Sequence, residues 1–494
     1  MITMLRKALA VVLCDLLVFL PVASDARPQA APPTRHTSDI SLRALLDKPY
    51  VELFALAPKL EFSAQELQDM RKSLKSGENI CVTQFKGHSK LYGQQIDAAQ
   101  KTLRAKTGSL TDAERSQMHC QIQNLDLLKS EADTLAGHAI PTAYDNLSAK
   151  LDIVEKWPAE HQQIQRDLAS GAYLNRRWGD VKDIGFREIV KGQEDDIRKG
   201  QQALEEMKRS GLLPPEIEDK AVQQYVISLA QKISKRSDLK IPLHVYVLQS
   251  REINAFALPG GYLFIQRGLL EAADNESELA GVIAHEMSHD VGRHSTKLMK
   301  RATIADIFMQ AAQVAAMILT GGTAGVGLSY ALQYGFYGLG MALDLKLLGV
   351  SRDYEMEADQ LGVQYAWNAG YDPSGFVQFF DKMATKEGYV NSASWFRTHP
   401  PYLDRMTAIE REIAFLPPKA NLITQTPEFE QMKKALEPIT AAAEKEEIAK
   451  PSLLVTREEG CEPPKKLEYK PGQPIEQICS QPAVTPSGGK KTDP

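Results

Sequence analysis

The chain has 494 residues, about three times the usual size of a single domain, so we expect two or three domains. Its 43% hydrophobic and 24% charged residues are typical of a folded globular protein and exclude a disordered or collagen-like chain. A net charge of -5 argues against nucleic-acid binding as the main function, because the chain has no excess of basic residues to bind a phosphate backbone. The mean hydropathy of -0.30 excludes a polytopic membrane protein.

Residues 1–26 have the pattern of a signal peptide. A basic pair, Arg6 and Lys7, precedes the apolar run 8–22, and small residues suitable for cleavage follow it. An uncleaved N-terminal anchor is the alternative interpretation. The Pro-rich stretch 27–40 is interpreted as a linker. Both interpretations predict an exported chain that is periplasmic or secreted.

Four cysteines follow the predicted signal: Cys81, Cys120, Cys461 and Cys479. Their even number and the lack of a CxxC pair predict two disulfides in an oxidising compartment. Three connectivities are open, of which the local pairing Cys81–Cys120 and Cys461–Cys479 is the simplest. The alternative, a zinc site built from these four residues, matches no zinc-finger or ribbon spacing.

Residues 41–175 form a predicted helical N-terminal region. Ser63 and Glu66, and then Thr111 and Glu114, have the spacing of helix capping boxes. Nothing in this region indicates chemistry, so we expect a spacer or a partner-docking surface.

Residues 180–415 contain the densest signals and are predicted to be a catalytic domain. A helix is predicted over 217–234, and strands are predicted over 243–248, 253–258 and 262–266. Long helices follow, which predicts an α+β, mostly helical fold with a small sheet. The polar segment 416–494 is predicted to be a weakly folded tail with at most one stapled loop, around Cys461–Cys479.

The sequence AHEMSH at 284–289 contains the pattern HExxH. In a helix, His285 and His289 project from one face, so that both imidazoles can bind one Zn²⁺. Glu286 lies one step around the helix, where its carboxylate can take a proton from a water that the metal activates. Two surface histidines on an ordinary helix are the alternative.

A catalytic zinc requires a third protein ligand, and SRDYEMEAD at 351–359 offers the best candidate. Glu355 would complete a His₂Glu site, and Asp359, one turn later, could orient a ligand imidazole. Glu357 is the weaker alternative ligand. An acidic, solvated helix is the alternative interpretation of the whole segment.

Four ordered motifs resemble a known family. They are NAFALPGG (254–261), HExxH (285–289), SRxxExxAD (351–359) and THP (398–400). Together they resemble the zinc metallopeptidase family of the CAAX prenyl proteases and HtpX-type proteases, peptidase family M48. The resemblance covers about residues 185–415 and is nearest to the soluble, exported branch, and it implies a zincin-type catalytic domain with one Zn²⁺ per chain.

This resemblance implies roles for individual residues. His285, His289 and Glu355 would be the zinc ligands, Glu286 the general base and Asp359 the partner of a ligand histidine.

The resemblance implies roles for three further residues. His399 would approach the zinc, either to stabilise the oxyanion or as a switchable ligand. Arg397 stands before THP where a small residue is expected, which makes the position of His399 less certain. His294 and Arg352 would support the site.

The strand that begins at NAFA has a predicted role in binding substrate. As an edge strand beside the zinc helix, Asn254, Ala255, Phe256 and Ala257 would hydrogen-bond an extended peptide. An ordinary core hairpin is the alternative.

Residues 307–343 contain no Asp, Glu, Lys or Arg. Interrupting glutamines and glycines favour an apolar helical hairpin beside the active site over two membrane spans.

The sequence therefore predicts an exported zinc endopeptidase whose partners are polypeptide substrates and not nucleic acid, with peripheral membrane or envelope-protein contact. By resemblance, the substrates would be misfolded or stalled envelope proteins. The alternatives are a chaperone-like or scaffolding protein with a latent site, and a prenyl-protein protease. The sequence does not decide the oligomeric state.

Overall fold

The computed structural model describes residues 40–106, 108–189, 193–209, 213–299, 352–387, 403–449, 461–462, 464, 475–480 and 482–483. These residues all belong to one compact unit that begins at Asp39. The predicted signal peptide, the segment 307–343 and His399 lie outside the described residues. Within the described ranges, no helix is both long and apolar enough to cross a membrane.

The first part of this unit, called here the helical layer, consists of five helices. They are α1 (Leu42–Leu46), α2 (Tyr50–Leu56), α3 (Ala64–Ala105), α4 (Asp112–Thr134) and α5 (Ile140–Ser170). Both predicted capping boxes are confirmed: each hydroxyl accepts from the backbone N–H three residues later, and the glutamate carboxylate returns to the cap. Two backbone donors at each helix start are therefore satisfied locally.

An apolar core holds the helical layer together. Leu45, Phe85 and Leu151 are completely buried in it. Trp157 of α5 packs edge-on against Phe54 of α2, with ring centroids 4.9 Å apart. The indole N–H of Trp157 donates to the carbonyl of Phe54 at 3.0 Å, so burying its only donor leaves no unpaired group.

The second part, called here the central region, contains the sheet and eight helices. In chain order they are α6 (Glu194–Arg209), α7 (Lys220–Ser234), β1 (His244–Leu248), β2 (Ala255–Leu258), β3 (Tyr262–Gln266), α8 (Arg267–Ala272), α9 (Glu276–Val291), α10 (His294–Met299), α11 (Arg352–Asn368), α12 (Ser374–Glu387) and α13 (Leu403–Phe415). The described residues are mostly helical with one small sheet, as predicted.

The sheet has the order β1-β3-β2, with β1 parallel and β2 antiparallel to β3. Tyr246, Phe264 and Phe256 lie side by side across its three strands, with ring centroids 5.0 and 4.6 Å apart. Gly260 and Gly261 make the turn between β2 and β3 with φ of +90° and +86°, a conformation that favours glycine. All three predicted strands are confirmed.

Helix α9 is the centre of the region. Every residue of α9 is buried, because it packs against β2 on one side and against α7, α11 and α12 on the others. Polar side chains on this helix must therefore find their partners inside the protein.

Helix α13 connects the two parts. Its Met406 and Phe415 are buried in the core of the helical layer. The guanidinium of Arg176 makes two hydrogen bonds to the Glu412 carboxylate, at 2.6 and 2.8 Å. The helical layer therefore packs directly on an element of the central region.

The structure differs from the prediction for the C-terminal segment. Residues Pro427–Ala449 form a helix, α14, whose Phe429, Met432 and Leu436 are buried in the core of the central region. This part of the segment predicted as a weakly folded tail is therefore folded. The apolar side chains of α14 have helical spacing, so one face of the helix packs on the core.

The local disulfide pairing, the simplest of the three connectivities that the sequence left open, is not the observed one. Cys81 pairs with Cys479 and Cys120 with Cys461, with Cα atoms 4.9 and 5.4 Å apart. A short helix, α15 (Glu476–Cys479), packs on α3, and Ile475 and Ile478 are buried in the helical layer. The C-terminal segment therefore packs on the N-terminal helices. The distance along the chain between the cysteines does not indicate this contact.

Candidate metal centre

The two HExxH histidines lie in the second half of α9. Asn275 begins this helix by accepting from the backbone N–H of Glu278 at 3.0 Å, and Gly292 ends it, as predicted. Spacing of four residues places His285 and His289 on one face, with ring centroids 4.8 Å apart.

Glu355 of α11 faces both histidines. Its two carboxylate oxygens lie 3.5 Å from His285 Nε2 and 3.3 Å from His289 Nε2, and the two Nε2 atoms are 3.1 Å apart. Within the described ranges, these three residues are the one group of three or more whose ligand atoms could hold a metal ion, all within 4.8 Å of one another.

The residues present fit a metal ion. His285 and Glu355 are 0% exposed and His289 is 3% exposed, so three lone-pair donors converge in a space closed to water. Two imidazole nitrogens and one carboxylate are a donor set that zinc prefers. A cation among these side chains would balance the buried charge of the Glu355 carboxylate.

The other ring nitrogen of His285 is oriented by a carboxylate. His285 Nδ1 lies 2.9 Å from Asp359 Oδ1, one turn beyond Glu355 on α11. Burial disfavours the charged imidazole, but its hydrogen bonds to Asp359 and Glu355 and their charges raise the pKa of His285 to about 9. Asp359 thus lies where the sequence placed it, beside a candidate ligand.

Arg405 of α13 is a site residue that the sequence analysis missed. Its Nε and Nη2 donate to the two oxygens of Asp359, both at 2.7 Å, and its Nη1 lies 2.8 Å from Glu355. Arg405 is 0% exposed. Burial alone would lower the pKa of Arg405, but the charges of Asp359 and Glu355 raise it above its usual range. Arg405 lies six residues after His399 of the THP motif, but no spacing rule assigns a function to an arginine at this distance.

The outer nitrogen of His289 has a different neighbour. His289 Nδ1 lies 2.8 Å from Nδ1 of His294, whose Nε2 lies 3.3 Å from Glu357. Burial lowers the pKa of His289 well below its usual range. Glu357, the weaker candidate ligand from the sequence, therefore contacts His294 and lies outside the three-residue cluster.

The remaining predicted residues have these positions. Glu286 lies on α9 beside His285 and is 1% exposed. Arg352 is exposed and pairs with Asp404, away from the cluster. His399 lies outside the described residues.

Strand β2 is at one edge of the sheet, as predicted for a substrate-binding strand. The N–H of Gln266 donates to the Asn254 carbonyl at 3.1 Å, so the alternating peptide groups of Ala255 and Ala257 face away from β3. The Ser295 hydroxyl donates to the Ala257 carbonyl at 3.4 Å. Phe256, between these alanines, is 5% exposed.

Comparison with known proteins agrees with the site. A family model described as Peptidase family M48 matches residues 217–413. A beta-barrel assembly-enhancing protease of Yersinia pestis is 29% identical over 188 residues, 38% of this chain and 38% of the relative. The mitochondrial metalloendopeptidase OMA1 of Schizosaccharomyces pombe is 34% identical over 181 residues, 36% of this chain and 48% of the relative.

The chain spans less than half of the length of these curated relatives. The matched part nevertheless includes α9, α11 and α13 up to residue 413, which carry the candidate ligands and the residues around them. The family model that matches residues 217–413 is thus the one for the family that the four sequence motifs predicted, peptidase family M48.

Proposed function

We propose that this protein is an exported zinc endopeptidase that hydrolyses peptide bonds in misfolded or stalled envelope proteins. The observation that carries the proposal is the convergence of His285 Nε2, His289 Nε2 and the Glu355 carboxylate in one buried cluster. The family of residues 217–413 supports the same reaction class.

His285, His289 and Glu355 would hold the zinc ion. When bound, a zinc ion supplies a Lewis acid that polarises the scissile carbonyl and makes water a better nucleophile. Asp359 and Arg405 hold the ligand side chains in place through the 2.9 Å contact to His285 and the 2.8 Å contact to Glu355.

Glu286 would act as general base and then as general acid. Its carboxylate accepts one proton from the attacking water as the new C–O bond forms. It then delivers this proton to the leaving nitrogen as the C–N bond breaks, so the carboxylate is regenerated. His399 would help to stabilise the oxyanion, a role that rests on the resemblance of the THP motif.

The substrate would lie along β2 as an extended chain. A strand added at this edge would pair with the outward-facing peptide groups of Ala255 and Ala257, which are buried, after the Ser295 hydroxyl has left the Ala257 carbonyl. Main-chain pairing of this kind accepts many sequences, which suits a peptidase of unfolded proteins. The two long-range disulfides support an exported, oxidising location.

A latent peptidase with a chaperone-like role is the second candidate. It is favoured by the burial of the cluster, in which no candidate ligand is more than 3% exposed. A substrate could reach such a site only after part of the protein moves.

Cleavage of casein by the purified mature chain tests both candidates. We expect the wild type and Glu286→Gln to bind one equivalent of zinc each, while Glu286→Gln cuts about 10²- to 10⁴-fold more slowly. Asp353→Asn is the matched control, since Asp353 is exposed on α11 and its loss should leave cleavage unchanged.

The other outcomes separate the candidates. If the wild type binds zinc but does not cut casein, the endopeptidase proposal fails and the latent site takes its place. If the wild type binds no zinc, both candidates fail.

A further inference from the structure

The two candidate histidine ligands are supported in different ways. Nδ1 of His285 faces the Asp359 carboxylate directly, whereas Nδ1 of His289 faces the imidazole of His294 at 2.8 Å. An imidazole accepts a hydrogen bond only through a nitrogen without a proton, so this second contact is sensitive to the tautomer of both rings.

A metal ion bound to Nε2 of His289 would leave one direction of hydrogen bonding. His289 Nε2 faces Glu355 and the metal position, so with a metal bound its Nδ1 would carry the proton and donate to His294 Nδ1. His294 must then carry its own proton on Nε2, which lies 3.3 Å from the Glu357 carboxylate. In the series His289–His294–Glu357, called here the relay, each histidine would therefore donate a hydrogen bond to the next residue.

The surroundings of His294 hold its ring in this position. The ring stacks on Tyr354, with centroids 4.5 Å apart and planes 10° apart. Gly292 provides the space for it, because a Cβ atom there would lie 2.8 Å from Cε1 of the imidazole. His294 and Glu357 are 1% and 7% exposed, so the relay is shielded from water.

The turn before His294 has an unusual backbone conformation. Arg293 has a φ of +54°, which is uncommon for a residue with a side chain. Its guanidinium donates to Asp196 at 2.7 Å, and this contact ties the turn to α6. A strained backbone held by a buried partner is expected where the position of the following side chain matters.

We propose that His294 and Glu357 are positioning residues that fix the ring orientation and tautomer of His289 for metal binding. This inference rests on the metal site in the proposed function, but it does not require peptidase activity. It also assigns to Glu357 a role other than direct ligation.

Metal affinity of the full mature chain tests the relay. Zinc dissociation constants would be measured by competition with a chromophoric chelator, and the Co²⁺-substituted proteins would be compared by visible absorption. We expect His294→Ala to weaken zinc binding about 10- to 100-fold and to change the Co²⁺ ligand-field bands. Asp353→Asn, on the exposed side of α11, is the control and should match the wild type.

Two milder variants separate positioning from simple packing. The amide oxygen of His294→Asn can stand near the former Nδ1 and accept from His289, so this variant should recover part of the lost affinity. Glu357→Gln keeps a hydrogen-bond acceptor but removes the charge, so this variant should lose less zinc affinity than His294→Ala. Thermal unfolding of the metal-free proteins reports how much each change affects folding alone.

Two results would overturn the relay. One is a His294→Ala protein that binds zinc as tightly as the wild type, with unchanged Co²⁺ bands. The other is equal loss of affinity in the alanine and asparagine variants together with equal loss of metal-free stability, which indicates packing. A wild type that binds zinc without cutting casein contradicts the proposed function and leaves this test intact, whereas a wild type that binds no zinc contradicts both.

Discussion

The helical layer and the central region differ in what they bury. The core of the helical layer is built of side chains such as Leu45, Phe85 and Trp157, and the indole N–H of Trp157 is paired with a backbone carbonyl. The core of the central region encloses charged side chains, among them Glu355 and Arg405, that are 0% exposed.

The difference shows how each part depends on the rest of the chain. Apolar packing is non-directional, so the helical layer can be closed by any suitably shaped segment, and here the tail covers it and is linked to it by two disulfides. Buried charges tolerate few arrangements, because each one needs a partner at a defined distance. The central region should therefore respond sharply to single charge changes, and the helical layer to loss of its cross-links.

Removal of both disulfides should have the largest effect. The Cys81–Cys479 bond closes a ring of 398 residues, for which the chain-entropy model gives about 6 kcal/mol. Replacing all four cysteines by alanine should lower the free energy of unfolding by at least this order. Thermal denaturation of the variant and the wild type measures the loss.

Single-bond variants are the control for this prediction. With Cys120–Cys461 intact, loss of Cys81–Cys479 opens a much smaller ring and should cost about 4 kcal/mol. Peptide mapping without reductant should find N-terminal peptides linked to C-terminal ones. Peptides linking Cys81 to Cys120 would contradict the observed connectivity.

Replacement of Arg405 should have the next largest effect and would show whether charge balance stabilises the central region. Arg405→Met leaves Asp359 and Glu355 buried without their cation, so we expect a loss of about 3–5 kcal/mol in urea unfolding of the metal-free protein. Arg411→Met is the matched control six residues further along α13, where a partly exposed pair with Glu160 should contribute less than about 1 kcal/mol. Equal urea midpoints for the two variants would mean that buried charge pairing does not stabilise this core.

A smaller, pH-dependent effect is expected at Glu410 of α13. Burial raises the pKa of Glu410 from its ordinary 4.5 to about 7. The folded protein therefore binds this proton more tightly than the unfolded chain, and stability falls as the pH rises from about 4.5 to about 7.

Glu410→Gln removes this penalty, since glutamine is neutral at every pH. The variant should be more stable than the wild type by about 1–3 kcal/mol at pH 8, a range reduced for partial exposure of the side chain, and equally stable at pH 4. Urea midpoints at the two pH values measure the difference. A stabilisation of the same size at both values would exclude ionisation as its cause.

Much of the central region followed from local patterns. The strands, the caps of α9 and the pair His285 and His289 depend on spacing within one element, which the periods of helices and strands fix. Glu355 and Asp359 followed in the same way from their positions on one helix face. For these residues the structure adds the contact between α9 and α11, which spacing within one helix cannot predict.

The sequence by itself determined the three strands, the capped helices and the motifs that resemble a family, because each depends on a short stretch of residues. The tertiary structure alone decided that Arg405 meets Asp359, that His294 meets His289, and that the cysteines pair between the two ends of the chain. Such contacts arise when separate elements pack together, and packing depends on the shape and burial of whole faces. No spacing rule within a single element carries that information.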